Sequence, residues 1–322
     1  MPDSRRPAHR VATRQPGEAV TTTIRIGGYA PAVATHTRAV AHFVERVAAL
    51  LGGSIRVDVL GNILDTGRPA ADLLSMVDSG ELTWCYFSSS YLGARVPELN
   101  ALEVPFLFDG LDAAHAALDG EFGAWLTAAT EATTGFEVLG YWDNGFRHLT
   151  NRLRPVRVPT DVKGMSVRLQ PNEIHRRMIE AWGGTGRLVD LSEGIKLISE
   201  REVDAQENPL ANTVAYGVDE VHGHVTMTGH LYGARGLYAN RAAMESMPAE
   251  IASALRSAAR DAIEFQREAA AAYERELRTR LEGQGVEFVD LTEAERAAFV
   301  DATAAVISDA KAAQPEDTPW PT

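Results

Sequence analysis

The sequence predicts an α/β protein of two domains, on three observations. Its 322 residues exceed what one hydrophobic core usually organises and suit two domains of roughly 100–150 residues each. Strand and helix patterns alternate over residues 23–87, and a second run of the same kind fills residues 145–208. A single helical pattern runs from Pro248 to about Leu281. At 1.5 Å per residue such a helix is roughly 50 Å long, more than one small domain is wide, so it is expected to brace both.

Thr23-Ile24-Arg25-Ile26 alternates and ends at Gly27-Gly28, which reads as a first strand leading into a loop that carries Tyr29. Val40, Phe43, Val44, Val47 and Leu51 fall at helical spacing, stopped by Gly52-Gly53. Ile55, Val57 and Val59 alternate as a second strand. A short helix carries Leu73, Leu74, Met76 and Val77, and Leu82 to Phe87 is an aromatic-rich buried strand closed by Ser88-Ser89-Ser90. This order predicts a parallel sheet covered by helices, with binding loops at the strand C-termini. Helical patterns follow at 113–118 and 122–132, then a strand at 136–142 that Asn144-Gly145 is expected to break.

The second unit opens with the turn Pro159-Thr160-Asp161 and the strand Met165–Leu169. A helix with Ile174, Met178, Ile179 and Trp182 ends at Gly183-Gly184. Leu188-Val189 is a strand, Ser192 reads as the N-cap of a helix through Ile198, and Val203–Asn208 is a further strand. The apolar, glycine-spaced run Val225 to Tyr238 returns the chain to the first domain. Val286–Val289 and a helix from Thr292 to about Ala310 complete the pattern. The domains are expected at 23–144 plus 233–272 and at 145–232 plus 273–312. A disordered leader is expected over 1–22 and a disordered tail over 313–322.

A net charge of −13 argues against nucleic acid, whose recognition needs a basic face. No stretch approaches the ~18–20 apolar residues of a membrane span. Arg5-Arg6 is followed by no apolar segment of the kind an export signal carries. The lone Cys85, inside Trp84-Cys85-Tyr86-Phe87, reads as a buried inert thiol. His222 and His224 share one face of a strand but have no evident third ligand, so no metal or other cofactor is expected.

The candidate chemistry lies in two arginines and an amide at strand ends. Arg168 closes Lys163-Gly164-Met165-Ser166-Val167-Arg168, Arg147 closes Asn144-Gly145-Phe146-Arg147, and Asn208 closes Gln206-Glu207-Asn208. A guanidinium's planar fork matches a carboxylate and stays charged at any relevant pH. Charge-assisted hydrogen bonds of about 1.5–3 kcal/mol each could sum to the ~8 kcal/mol of a micromolar complex. The competing assignments are a structural ion pair for either arginine and a helix cap for Asn208. Glu207 is expected to point into solvent or toward a basic side chain. Tyr29, Trp84, Tyr86, Ser88, Trp142 and Tyr232 are candidate pocket walls, with ordinary core packing as the alternative for each aromatic ring.

Four strings in order carry a resemblance: LEVPFLFDG at 102–110, GYWDNGFRHLTN at 140–151, DVKGMSVRLQPNEIHRRMIEAWGG at 161–184 and VDAQENP at 203–209. Over about residues 22–312 the chain resembles the extracytoplasmic solute-binding subunit of tripartite ATP-independent periplasmic (TRAP) transporters, dicarboxylate-binding type. The resemblance implies a type II periplasmic-binding fold, two α/β domains joined by hinge strands and a long helix, closing on ligand like a clamshell. It implies that Arg168 holds the ligand carboxylate bidentately, that Arg147 adds a contact, and that Asn208 joins them. It also implies a periplasmic location, an integral-membrane permease as partner and no enzymatic activity; a monomer is expected. Ala205 stands where family members often have glycine.

Two other functions use the same scaffold. An enzyme is disfavoured, since no G-x-S-x-G, Walker A or G-x-G-x-x-G string and no cysteine–histidine constellation occurs. A carboxylate sensor without a transport role would differ only in compartment and partner.

Overall fold

A computed structural model describes residues 22–52 and 55–321. The leader expected over 1–22 lies outside the described residues except for Thr22, which already belongs to the first strand. In chain order the first half is β1 (Thr22–Gly27), α1 (Thr35–Leu51), β2 (Ile55–Leu60), α2 (Asp72–Asp78), β3 (Trp84–Ser88), α3 (Leu111–Asp119) and α4 (Glu121–Thr133). After β4 (Phe136–Asn151) come β5 (Ser166–Leu169), α5 (Glu173–Ala181), β6 (Thr185–Leu188), α6 (Leu191–Ser199), β7 (Ala205–Asn208) and α7 (Leu210–Ala215). The chain returns through β8 (His224–Asn240), α8 (Arg241–Ser246), α9 (Ala249–Gly283), β9 (Glu287–Val289) and α10 (Glu293–Ala312).

The strands form one sheet in the order β2-β1-β3-β8-β4-β7-β5-β6, with β9 beside β8. Each end is a parallel β/α unit: β2, β1 and β3 at one end, β7, β5 and β6 at the other. The parallel units were legible from the alternation; the two long antiparallel strands between them were not. β4 has 16 residues and β8 has 17, against the ~5–6 of an ordinary strand. They pair antiparallel along their length, from Phe136↔Asn240 at one end to Asn151↔His224 at the other, so both thread both halves. Asn144-Gly145 does not end the strand as expected. Gly145 takes φ 100, a conformation that disfavours side chains, and the register slips between Asp143 and Gly145, so the pair becomes a bulge within β4.

The apolar side chains gather accordingly. The largest core joins Ile24, Ile26, Phe43, Trp84, Phe87, Leu126 and Leu237 with the first turns of α9. A second, around Leu149, Val167, Leu169, Met178, Trp182 and Phe299, belongs to the other half. The brace expected from the long helical pattern is present. α9 buries Ile251, Leu255, Ala258 and Ala262 in the first core, then Leu277 and Leu281 against Leu210 and Val225 in the other half. Midway, the fully buried Gln266 grips the hinge backbone: its Nε2 donates to the Asp143 carbonyl and its Oε1 accepts from the Asp143 N–H, both at 2.8 Å.

Two local expectations are corrected. Asp190, not Ser192, caps α6, because its carboxylate accepts from the Ser192 N–H. The tail expected to be disordered beyond residue 312 folds back: Trp320 lies 6.3 Å from the Phe122 ring, and Lys311 sits over its face at 5.2 Å. An aromatic side chain so placed gains burial that the tail's proline-rich composition did not suggest.

Candidate functional site

The parallel strands of the two halves end at one crevice, where open α/β sheets hold their ligands. β1 delivers Tyr29, β3 delivers Ser88–Ser90, β5 delivers Arg168 and Gln170, and β7 delivers Asn208. The crevice is shut. The Ser90 hydroxyl donates to Gln170 Oε1 at 2.7 Å, Asn172 Nδ2 donates to Asn100 Oδ1 at 3.0 Å, and His175 Nε2 lies 2.6 Å from Glu103 Oε2. Each pair joins the first half to the second.

Arg168 is 1% exposed, and among the described residues no carboxylate lies within 4 Å of it. Its Nη2 donates to the Val189 carbonyl at 3.2 Å, while Nε has no partner. A position on α6 makes room for it: a Cβ on Gly194 would stand 2.4 Å from Arg168 Nε. Burial pushes the neighbouring Tyr91 phenol up to about 12, with Arg168 pulling against it. A guanidinium this deep without a counter-charge is costly, which is the condition a bound anion relieves.

Arg147 is differently placed. Its Nε and Nη2 form a fork on the Glu207 carboxylate, and Nη2 also donates to the Glu207 carbonyl at 2.8 Å. Both residues are buried. Burial opposes the charge on Glu207, but Arg147, with His230 beside it, outweighs this and holds the carboxyl below the usual range. His230 Nε2 lies 3.5 Å from Glu207, and its Nδ1 meets the Thr228 hydroxyl at 2.6 Å; burial, only partly offset by Glu207, pulls its titration below the ordinary histidine range. Glu207 thus turns to a basic side chain rather than to solvent. The charge of Arg147 is matched within the protein, and only its Nη1 remains uncommitted. The acid opposite Arg147 is Glu207 from β7, not the sequence neighbour Asp143, which receives the Tyr232 hydroxyl and His115 Nε2 instead.

A third buried arginine, Arg235 on β8, escaped the sequence reading. Its guanidinium stacks 4.6 Å from the Tyr29 ring centre and 5.7 Å from that of Tyr86. Nη2 donates to Asn212 Oδ1 at 3.1 Å, while Nε and Nη1 have no partner. Asn212 Nδ2 donates in turn to Asn208 Oδ1 at 3.0 Å and to Asn144 Oδ1 at 2.9 Å. Asn208 therefore enters an amide network instead of capping α7, whose N-cap is Pro209. The signal that could have found Arg235 is a single basic residue inside the otherwise apolar run Leu231–Tyr238. Tyr91, Gln170, Asn212 and Tyr216 were also missed, since polar loop and helix residues carry no periodic mark.

The aromatic candidates divide by strand face. Tyr29 and Tyr86 lie with Arg235, and Trp142 backs Tyr86 at 5.2 Å between ring centres. Ser88 pairs in register with Arg235, and its hydroxyl meets those of Ser90 and, at 3.4 Å, Gln170 Nε2. Trp84 packs elsewhere, its edge on Phe43 at 4.8 Å and on Trp142 at 6.2 Å, so its surroundings are core rather than cleft. Tyr232 packs between Phe108 and Phe146 and donates to Asp143, a hinge position away from the Tyr29–Arg235 stack. The reason is strand alternation: Tyr232 and Arg235 are three residues apart on β8 and so project to opposite faces of the sheet. Cys85 is fully buried, and burial pushes its thiol well above the ordinary range. His222 Nδ1 meets the Thr150 hydroxyl while His224 faces Glu287, and no group of three metal-ligating side chains occurs among the described residues. No helix among them is long and apolar enough to cross a membrane.

The family model for bacterial extracellular solute-binding protein, family 7 (DctP), matches residues 26–314. The chain is 32% identical over 286 residues to protein y4mM of Sinorhizobium fredii, spanning 89% of this chain but only about half, 52%, of that relative. It is 30% identical over 240 residues to the 2,3-diketo-L-gulonate-binding periplasmic protein YiaO of Escherichia coli, covering 74% of this chain and 72% of YiaO. Among solved structures, the sugar acid binding protein DctPAm of Advenella mimigardefordensis, in complex with galactonate, superposes with a TM-score of 0.87 at 26% identity, over 92% of this chain and 94% of that one. The architecture is the type II periplasmic-binding fold, two α/β domains joined by hinge strands and a long bracing helix. The chain belongs to the DctP family of bacterial extracellular solute-binding proteins.

Proposed function

We propose that this chain is the solute-binding subunit of a TRAP-type transporter, capturing an organic acid by closure of its two lobes outside the cytoplasm and delivering it to a membrane permease. The observation that carries the proposal is Arg168: a buried guanidinium at a strand end, with a free Nε and no carboxylate within 4 Å among the described residues. In an open crevice this group is hydrated. Closure strips its water, and the ligand's carboxylate replaces it, so that binding and closure become one coupled event. The acids named for YiaO and DctPAm are of the chemical class this requires.

The lobes in this reading are residues 23–144 with 233–272 and residues 145–232 with 273–312, bending about β4 and β8 near Gly145. Arg147 acts through its Nη1 as a donor whose charge is already balanced, orienting the ligand more than attracting it. Asn208 positions Asn212, and Tyr29, Tyr86, Ser88 and Trp142 shape the walls. The protein works as a monomer, in the periplasm, without turnover of its ligand and without a cofactor. Calorimetry on a panel of sugar acids and short-chain acids tests it. At least one acid should bind with micromolar or tighter affinity, and Arg168→Met should abolish that binding with the fold intact. Failure of every acid, or unchanged affinity in the variant, defeats the proposal.

A further inference from the structure

We infer that the C-terminal tail, residues 313–321, is a strap across the closed lobes: it is carried by the second lobe through α10 and seats Trp320 on the first. The inference rests on the lobe closure of the acid-receptor reading but not on which acid is bound. The family match ends at residue 314, so Trp320 lies beyond what the family model covers.

The body of α10 is fixed to the second lobe. Phe299 meets the Trp182 ring edge-on at 4.9 Å, the Trp182 indole N–H donates to the Thr303 hydroxyl at 2.9 Å, and Arg177 on α5 pairs with Asp309. Beyond Ala312 the chain crosses to the first lobe. Gln314 Nε2 donates to the Pro97 carbonyl at 3.2 Å. The Trp320 ring lies 6.3 Å from that of Phe122, which in turn stacks on Trp125 at 6.0 Å. Both of those rings stand on α4, in the first lobe. The Lys311 ammonium, at the end of α10, sits over the Trp320 ring at 5.2 Å, so the indole is held from both lobes at once.

The tether between these anchors is wound, not slack. The Thr318 N–H and hydroxyl both donate to the Pro315 carbonyl, at 3.1 and 2.7 Å, and the Trp320 N–H donates to the Thr318 carbonyl at 2.8 Å. Thr318 is buried, and Pro315 and Pro319 restrict the backbone on either side of it. When the lobes part, α10 leaves with the second and α4 with the first. Either Trp320 then leaves Phe122 or the turn at Pro315 unwinds, and both lose contacts that the open form does not replace. Asn172 to Asn100 and His175 to Glu103 likewise join the second lobe to the first, so the strap adds to a set of bonds made by closure. A contact present in only one of two states shifts their ratio by its own free energy. For an aromatic stack with a cation over it, that shift is about 5- to 50-fold.

The test measures lobe separation on the full chain by double electron–electron resonance. Spin labels at Leu50→Cys in the first lobe and Leu153→Cys in the second occupy exposed positions, while the native Cys85 is fully buried and stays unlabelled. Distances are recorded at rest and across titrations with galactonate and with succinate. Trp320→Ala should raise the open-to-closed ratio about 5- to 50-fold over the wild type, at rest or along a titration, and Trp320→Phe should restore part of it. If acid closes the wild type and Trp320→Ala alike, the strap falls and the acid-receptor reading stands. A Trp320→Ala that lowers Tm but leaves every distance distribution unchanged also overturns the strap, since the tail then belongs to one lobe. If neither acid moves the wild type but Trp320→Ala opens it, the strap stands and the acid reading fails for both acids. No change in any arm overturns both.

Discussion

Gly194→Ala separates the position of Arg168 from its charge. A Cβ at residue 194 would stand 2.4 Å from Arg168 Nε, 3.0 Å from Cδ and 3.1 Å from Cγ. The helix backbone cannot yield, so the arginine must retreat by about 1 Å to restore ordinary contact. Charge-assisted hydrogen bonds do not survive such a displacement with their geometry intact. Loss of one costs about 1.5–3 kcal/mol, which is about 10- to 150-fold in Kd. The fold itself should not suffer, because alanine is favoured over glycine inside a helix by about 1 kcal/mol. Calorimetry gives the Kd and thermal denaturation gives the Tm on the same preparation. The reasoning predicts a weaker complex in a protein at least as stable. Unchanged affinity, or a loss of affinity accompanied by a comparable loss of Tm, refutes it.

Other perturbations address the surrounding architecture. Glu207→Gln leaves Arg147 buried without its partner and should destabilise the fold by about 3–5 kcal/mol in denaturant titration; a change below about 1 kcal/mol would mean the pair is not desolvated. Trp84→Ala should cost a similar ~3–5 kcal/mol through the cavity it leaves beside Phe43, yet the folded fraction should bind acid with wild-type affinity; a large rise in Kd would return Trp84 to the cleft wall. Burial raises the Glu274 carboxyl from its ordinary 4.5 to about 7, against the pull of the Leu210 and Ala211 N–H groups. A carboxyl raised in the folded state holds its proton more tightly there, so its contribution is complete below pH 4.5 and is lost as pH climbs through about 7. Glu274→Gln should therefore gain on the wild type across that window, and a difference that is flat or shrinks with pH contradicts the assignment.

The parallel β/α units and the brace were readable because periodicity is a local property. Ile24 and Ile26, or Val40, Phe43 and Val47, announce their buried faces within a few residues of one another. Arg168 was readable for a related reason, as a charged residue closing an apolar strand. What resisted was everything fixed by pairing at a distance. Arg147 and Glu207 lie sixty residues apart and become neighbours only because β4 and β7 are adjacent, which no local pattern states. The continuity of β4 through Asn144-Gly145 was hidden because a bulge and a strand end share the same composition. Tyr232 and Arg235 look interchangeable as hinge residues until the register is known, and then one locks Asp143 while the other faces Tyr29. Trp320 read as part of a disordered segment because composition does not register a single aromatic anchor.

The most direct measurement is a crystal structure with a bound acid from the panel. The account predicts a ligand carboxylate on the Nε edge of Arg168, inside a closed crevice bridged by Ser90 and Gln170. A ligand seated elsewhere, or Arg168 turned to solvent or paired with an acid of the protein itself, contradicts it.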